Sequence, residues 1–92
     1  MFDENENTST RAVCVIDRGW IFAGDIEETH DGIGGYLLRN AVHVQSWSSV
    51  GFDGMIANPD SNNVNLKKMD NPVVVPHSSL ILMVPVESKW GL

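Results

Sequence analysis

Short runs of β-branched and aromatic residues, each cut off by a turn signal, constrain this chain more than any other feature. Ala12-Val13-Cys14-Val15-Ile16 ends at Asp17-Arg18-Gly19, and Trp20 to Glu27 follows with alternating character. Trp20 and Phe22 fall on one face of that second run, and Ile21 and Ala23 on the other. Bulk on both faces marks a strand near the centre of a sheet, in a hairpin with the first. Glu27 to Gly35 reads as a loop, with Asp31-Gly32 favouring a tight turn. Tyr36 to Leu38 begins a third strand, Arg39-Asn40 interrupts it, and Ala41 to Trp47 continues it. In strict alternation Val42, Val44 and Ser46 share one face, while Ala41, His43, Gln45 and Trp47 share the other, wet one.

Phe52, Met55 and Ile56 stand at helical spacing, but Gly51 and Gly54 limit them to one turn. Asn58 to Asn63 is a turn cluster. Val64 to Lys67 reads as an edge strand with Lys67-Lys68 at its exit. Val73 to Val75 is a short strand closed by Pro76. Leu80 to Val86 is a continuous apolar run, which predicts burial on both faces. The expected architecture is therefore all-β: a small six- to seven-stranded barrel or compact sandwich with at most one short helical turn.

The chain has 92 residues. That length is one domain, read as a flexible N-terminal arm over residues 1–10 and a single β domain over 11–92. A core this small is marginal, and such domains lean on disulfides, a metal or a partner subunit. Cys14 is the single cysteine, and His30, His43 and His77 are scattered, so a disulfide within the chain and a zinc site are both set aside. Self-association is the expected support, with Trp90 and Leu92 of the tail placed across a dimer or higher ring. The formal net charge of −6, from six Lys and Arg against twelve Asp and Glu, argues against a duplex nucleic-acid binder, while leaving room for one small nucleotide. No apolar run reaches the ~18 residues of a membrane span. The polar start lacks the apolar core of a signal peptide, and the lone thiol suits a reducing cytoplasm.

Four segments form a more specific pattern. Residues 18–24 read RGWIFAG, 37–47 LLRNAVHVQSW, 51–66 GFDGMIANPDSNNVNL and 73–81 VVVPHSSLI. In that order they resemble a group of short uncharacterised proteins of tailed bacteriophages and prophages. That group has a G-W-hydrophobic-F-x-G strand, an L-x-N-A segment leading to a Trp, a Gly-Leu-x-x-Leu-Ala-like turn and a strand ending in V-x-V-P. The group carries basic residues before the Trp and Gly-Thr after it, where this chain has Gln45-Ser46 and Ser48-Ser49. The resemblance covers about residues 12–86 and implies a phage protein acting in the host cytoplasm. By analogy with compact β-rich defence inhibitors, it implies sequestration of a nucleotide-derived immune signal without cleavage. A minor virion or accessory structural protein, and an inhibitor binding a host defence protein, are the competing classes.

No catalytic constellation stands out. Cys14 lies inside an apolar strand and reads as a core thiol. Gly32-Ile33-Gly34-Gly35 lacks the Lys-Ser/Thr of a phosphate loop and precedes a strand. Glu27, Glu28, His30 and Asp31 lack calcium-loop spacing. No catalytic residue, metal or cofactor is expected. The expected ligand site combines stacking on Trp47 with Arg39, His43, Gln45 and Ser49, and with the amides of Asn62 and Asn63.

Overall fold

The structure, a computed structural model, describes residues 10–29, 34–47 and 50–92. Of the expected arm it describes only Thr10, which opens the first strand; residues 1–9 lie outside the described residues. The chain is mostly β; among the described residues there are six antiparallel strands in one sheet and one short α-helix. The strands are β1 (Thr10–Ile16), β2 (Trp20–Glu28), β3 (Gly35–Trp47), β4 (Val64–Lys68), β5 (Val73–Pro76) and β6 (Leu80–Val86). The helix, α1, is Gly51–Ala57.

The sheet runs β4-β3-β2-β1-β6, with β5 also paired to β3. The expected hairpin is there: β1 and β2 pair from Thr10↔Ile26 to Ile16↔Trp20 around Asp17–Gly19. The expected central strand is β2. Strand β2 holds one edge of β3 from Tyr36 to His43, so β4 and β5 share the other edge end to end.

Apolar clusters line both faces. One gathers Val13, Ile21, Ala23, Val44, Val64, Met55 and Trp90, with α1 and the C-terminal tail as its cover. The other gathers Cys14, Leu38, Ala41 and Val75. Neighbouring residues such as Val13 and Cys14 thus serve opposite cores, as alternation on a strand requires.

Three expectations need correction. Arg39-Asn40 does not interrupt the third strand; β3 is continuous, and Asn40 enters a bulge at φ 50°. There Ala23↔Val42 is followed by Asp25↔Arg39, so β3 carries one residue more than β2. Gly24 makes room: a Cβ on it would lie 2.7 Å from the Leu38 Cβ. Second, β6 is not buried on both faces. It is an edge strand paired only with β1 among the described residues, and Ile81 and Leu82 are exposed. Third, Trp90 has its home within its own chain, 3% exposed, with its indole N–H donating to the Ile56 carbonyl at 2.9 Å.

Candidate functional site

Alternation along β2 sends Trp20 and Phe22 to the same face, and the register Phe22↔His43 sets an imidazole beside them. Ring centroids are 6.2 Å apart for Trp20 and Phe22, 5.3 Å for Trp20 and His43, and 4.9 Å for Phe22 and His43. Interplanar angles are 4°, 26° and 26°. Phe22 and His43 are half-buried, whereas Trp20 is 52% exposed. A tryptophan normally buries a large area, so one left half open on a sheet face beside two further rings is a candidate contact surface.

Polar groups border these rings. His43 pairs with Lys67 on β4, which brings an exposed ammonium to the same face. Further along, Ser46 pairs with Asn65, whose side-chain amide donates to the Ser46 hydroxyl at 3.2 Å. The surface offers three near-parallel rings, one cation and an amide–hydroxyl pair, all carried by strands. It can stack a planar ring and orient it by a few directional contacts. With Lys67 as its single lysine, it suits one small anion rather than a polyanion.

The structure divides the residues expected to form the ligand site. His43 lies on this surface. Trp47 does not, because the pairing slips between Val44↔Leu66 and Ser46↔Asn65, leaving Gln45 as an extra residue. That second bulge reverses the alternation. Ser46 joins the face of His43, and Trp47 turns to the opposite core, edge-on to Phe52 at 6.4 Å. Arg39 also points to the opposite face, where its Nε–H donates to Glu27 at 2.9 Å. Gln45, Asn62 and Asn63 are exposed, the last two in the turn before β4. Ser49 lies outside the described residues. Trp20 and Phe22 went unassigned because their role depends on the β2–β3 register; their shared face was visible in the alternation.

Arg11 was missed altogether, since it stands where the polar arm meets the first strand. Alternation with Val13 and Val15 places it on the same face as theirs. It is 1% exposed. Its Nε–H donates to the Trp90 carbonyl at 2.7 Å, and Nη1 donates to the Asn40 carbonyl at 3.0 Å and to Asp25 at 3.2 Å. The Asn40 amide completes the set by donating to Asp25 at 2.9 Å. Nη2 is buried and has no hydrogen-bond partner among the described residues. This network ties β1, β2, the β3 bulge and the tail together, so its place is structural.

Two smaller features add little chemistry. A cleft of about 260 Å³ is lined by Arg39, Asn40, Met69, Asp70, Asn71 and Pro72, but Arg39 is already engaged with Glu27. Burial pushes the Cys14 thiol from 9.0 up to about 11, so it carries no thiolate near neutrality. Of the four residues weighed for a cation, Glu27 and Glu28 end β2 rather than lying in a loop, and His30 and Asp31 lie outside the described residues. Among the described residues no group of three or more His, Cys, Asp or Glu converges to hold a metal ion. No helix of the structure is long and apolar enough to cross a membrane. No protein-family model matches the chain, and no curated protein matches it.

Proposed function

We propose that this chain is a non-enzymatic binding protein of phage origin that sequesters a nucleotide-derived immune signal in the host cytoplasm, with Trp20, Phe22 and His43 as the stacking surface. The observation that carries the binding half is the half-exposed Trp20 held parallel to Phe22 and beside His43. The phage setting and the class of signal rest on the motif resemblance of residues 12–86. In this reading the base or another planar ring lies on Trp20 and His43. The Lys67 ammonium meets a phosphate, and the Asn65–Ser46 pair reads the ring's polar edge. Retention without cleavage follows from a surface that offers stacking and hydrogen bonds and no activated nucleophile.

The test is calorimetry against cyclic di- and trinucleotides and ADP-ribose derivatives, followed by mass spectrometry of the recovered ligand. Base–aromatic stacking is worth about 1–3 kcal/mol, so Trp20→Ala is expected to weaken binding by roughly 5- to 150-fold. Recovery of intact ligand is expected. Absence of any binding tighter than about millimolar across the panel refutes the reading.

A further inference from the structure

The two edges of the sheet are unequal. On one side β4 ends in Lys67 and Lys68, both exposed, so pairing that edge with a copy of itself sets lysines against lysines. On the other side β6, Leu80–Val86, carries no charged residue. Ile81 is 61% exposed and Leu82 43% exposed. Ile81 is also the residue left over where the pairing slips from Val15↔Leu82 to Ile16↔Leu80, so it has no partner on β1. Pro85 has no backbone donor, which stops any outside strand from pairing through it.

We infer that β6 pairs antiparallel with β6 of a second copy about a two-fold axis at Leu82. The longest self-pairing that stays clear of Pro85 spans residues 80–84, and Leu82 is its midpoint. Leu82 then faces Leu82, Ile81 faces Met83 and Leu80 faces Val84. Every pair is apolar, and the charge behind the net −6 stays off the seam. An isologous contact needs this self-complementarity, and lysine-tipped β4 lacks it. Strand β5, the other strand on that edge, is also free of charge but is only four residues long and closed by Pro76, so the seven-residue β6 offers the longer apolar seam. The inference stands apart from ligand binding. It locates the self-association that so small a core, without disulfides, leads one to expect. Five residues a side is far fewer than the ~20–30 of a standard interface, so the dimer dissociates on dilution.

Sedimentation equilibrium over roughly 1 μM to 1 mM tests it. The full chain is expected to rise from monomer to dimer mass. Ile81→Lys, at an exposed position, is expected to stay monomeric with an unchanged circular dichroism spectrum. As a second arm, Leu82→Cys is expected to form a disulfide-linked dimer on mild oxidation, because paired antiparallel Cα atoms lie ~4.5–5.5 Å apart, within disulfide reach. Val74→Cys, at a comparably exposed site on β5, is expected not to cross-link. A full chain that remains monomeric at the highest concentration overturns the inference. So does a dimer that persists in Ile81→Lys while Leu82→Cys fails to cross-link.

Discussion

Replacing Arg11 by methionine tests how the fold holds its C-terminal tail. Methionine keeps the apolar stem and removes the guanidinium. The buried contact to the Trp90 carbonyl is lost, which costs about 1–3 kcal/mol for an acceptor left without its donor. The Asn40 carbonyl is only part-buried, and Asp25 keeps 22% side-chain exposure and its bond from the Asn40 amide, so water recovers much of that loss. These two together add about 1 kcal/mol. Against this, the unpartnered Nη2 disappears, returning about 1 kcal/mol of desolvation penalty. The net expectation is a destabilisation of about 1–3 kcal/mol, or a fall in Tm of roughly 4–24 °C for a domain of this size. Thermal and urea unfolding followed by far-UV circular dichroism measures it. Because the charges are sheltered, the loss is expected to change little between low and moderate salt. Arg11→Lys is expected to recover only part of it, since one ammonium cannot reproduce the planar fork that meets Trp90, Asn40 and Asp25 together. A methionine variant as stable as the parent, or more so, refutes the reasoning, because the network would then hold nothing that packing does not.

Three further outcomes follow from the same geometry. Gly24→Ala sets a Cβ 2.7 Å from the Leu38 Cβ and 3.1 Å from the Arg39 carbonyl oxygen, so unfolding is expected to show a loss of about 2 kcal/mol or more. Trp90→Phe removes the bond to the Ile56 carbonyl and part of a buried ring, and a loss of about 2 kcal/mol is expected in the same assay. Cys14 is neutral below pH 9 in both states; above it the unfolded thiol ionises first, while burial holds the folded one to about 11. Stability is therefore expected to be full below pH 9 and to fall by up to about 3 kcal/mol as the pH rises towards 11. Urea titrations across that range check the fall, and a thiol reagent is expected to label Cys14 only on unfolding.

Much of the fold was legible from local pattern. The β1–β2 hairpin follows from a β-branched run meeting Asp17-Arg18-Gly19, and the placement of Trp20 with Phe22 follows from alternation alone. The features that escaped are those decided by distant partners. Arg39-Asn40 marks the first bulge but reads as a break rather than a bulge, and the second, at Gln45, has no local marker. Each arises from how β3 must meet Gly24 on one side and Leu66 to Asn65 on the other. Missing the second one turned Trp47 to the wrong face and divided the expected ligand site. A continuous apolar run such as β6 reads as buried, yet whether it lies inside a sheet or at its edge is a matter of topology. Arg11 was hidden because its partners, Asp25, Asn40 and Trp90, stand far along the chain.

The central claim is that a planar ligand rests on Trp20 beside His43 rather than on Trp47. Two-dimensional proton–nitrogen NMR resolves the three tryptophan indole N–H signals directly, and titration with ADP-ribose and with a cyclic diadenylate reads each of them. The account predicts that the Trp20 indole and the His43 backbone amide shift and saturate together, while the Trp90 indole, held against the Ile56 carbonyl, stays in place. It also predicts that Trp20→Ala moves the His43 titration to roughly 5- to 150-fold higher ligand concentration. Saturable shifts confined to Trp47 and the Asn62-Asn63 turn, or no shift at Trp20 with any nucleotide that binds, would contradict it.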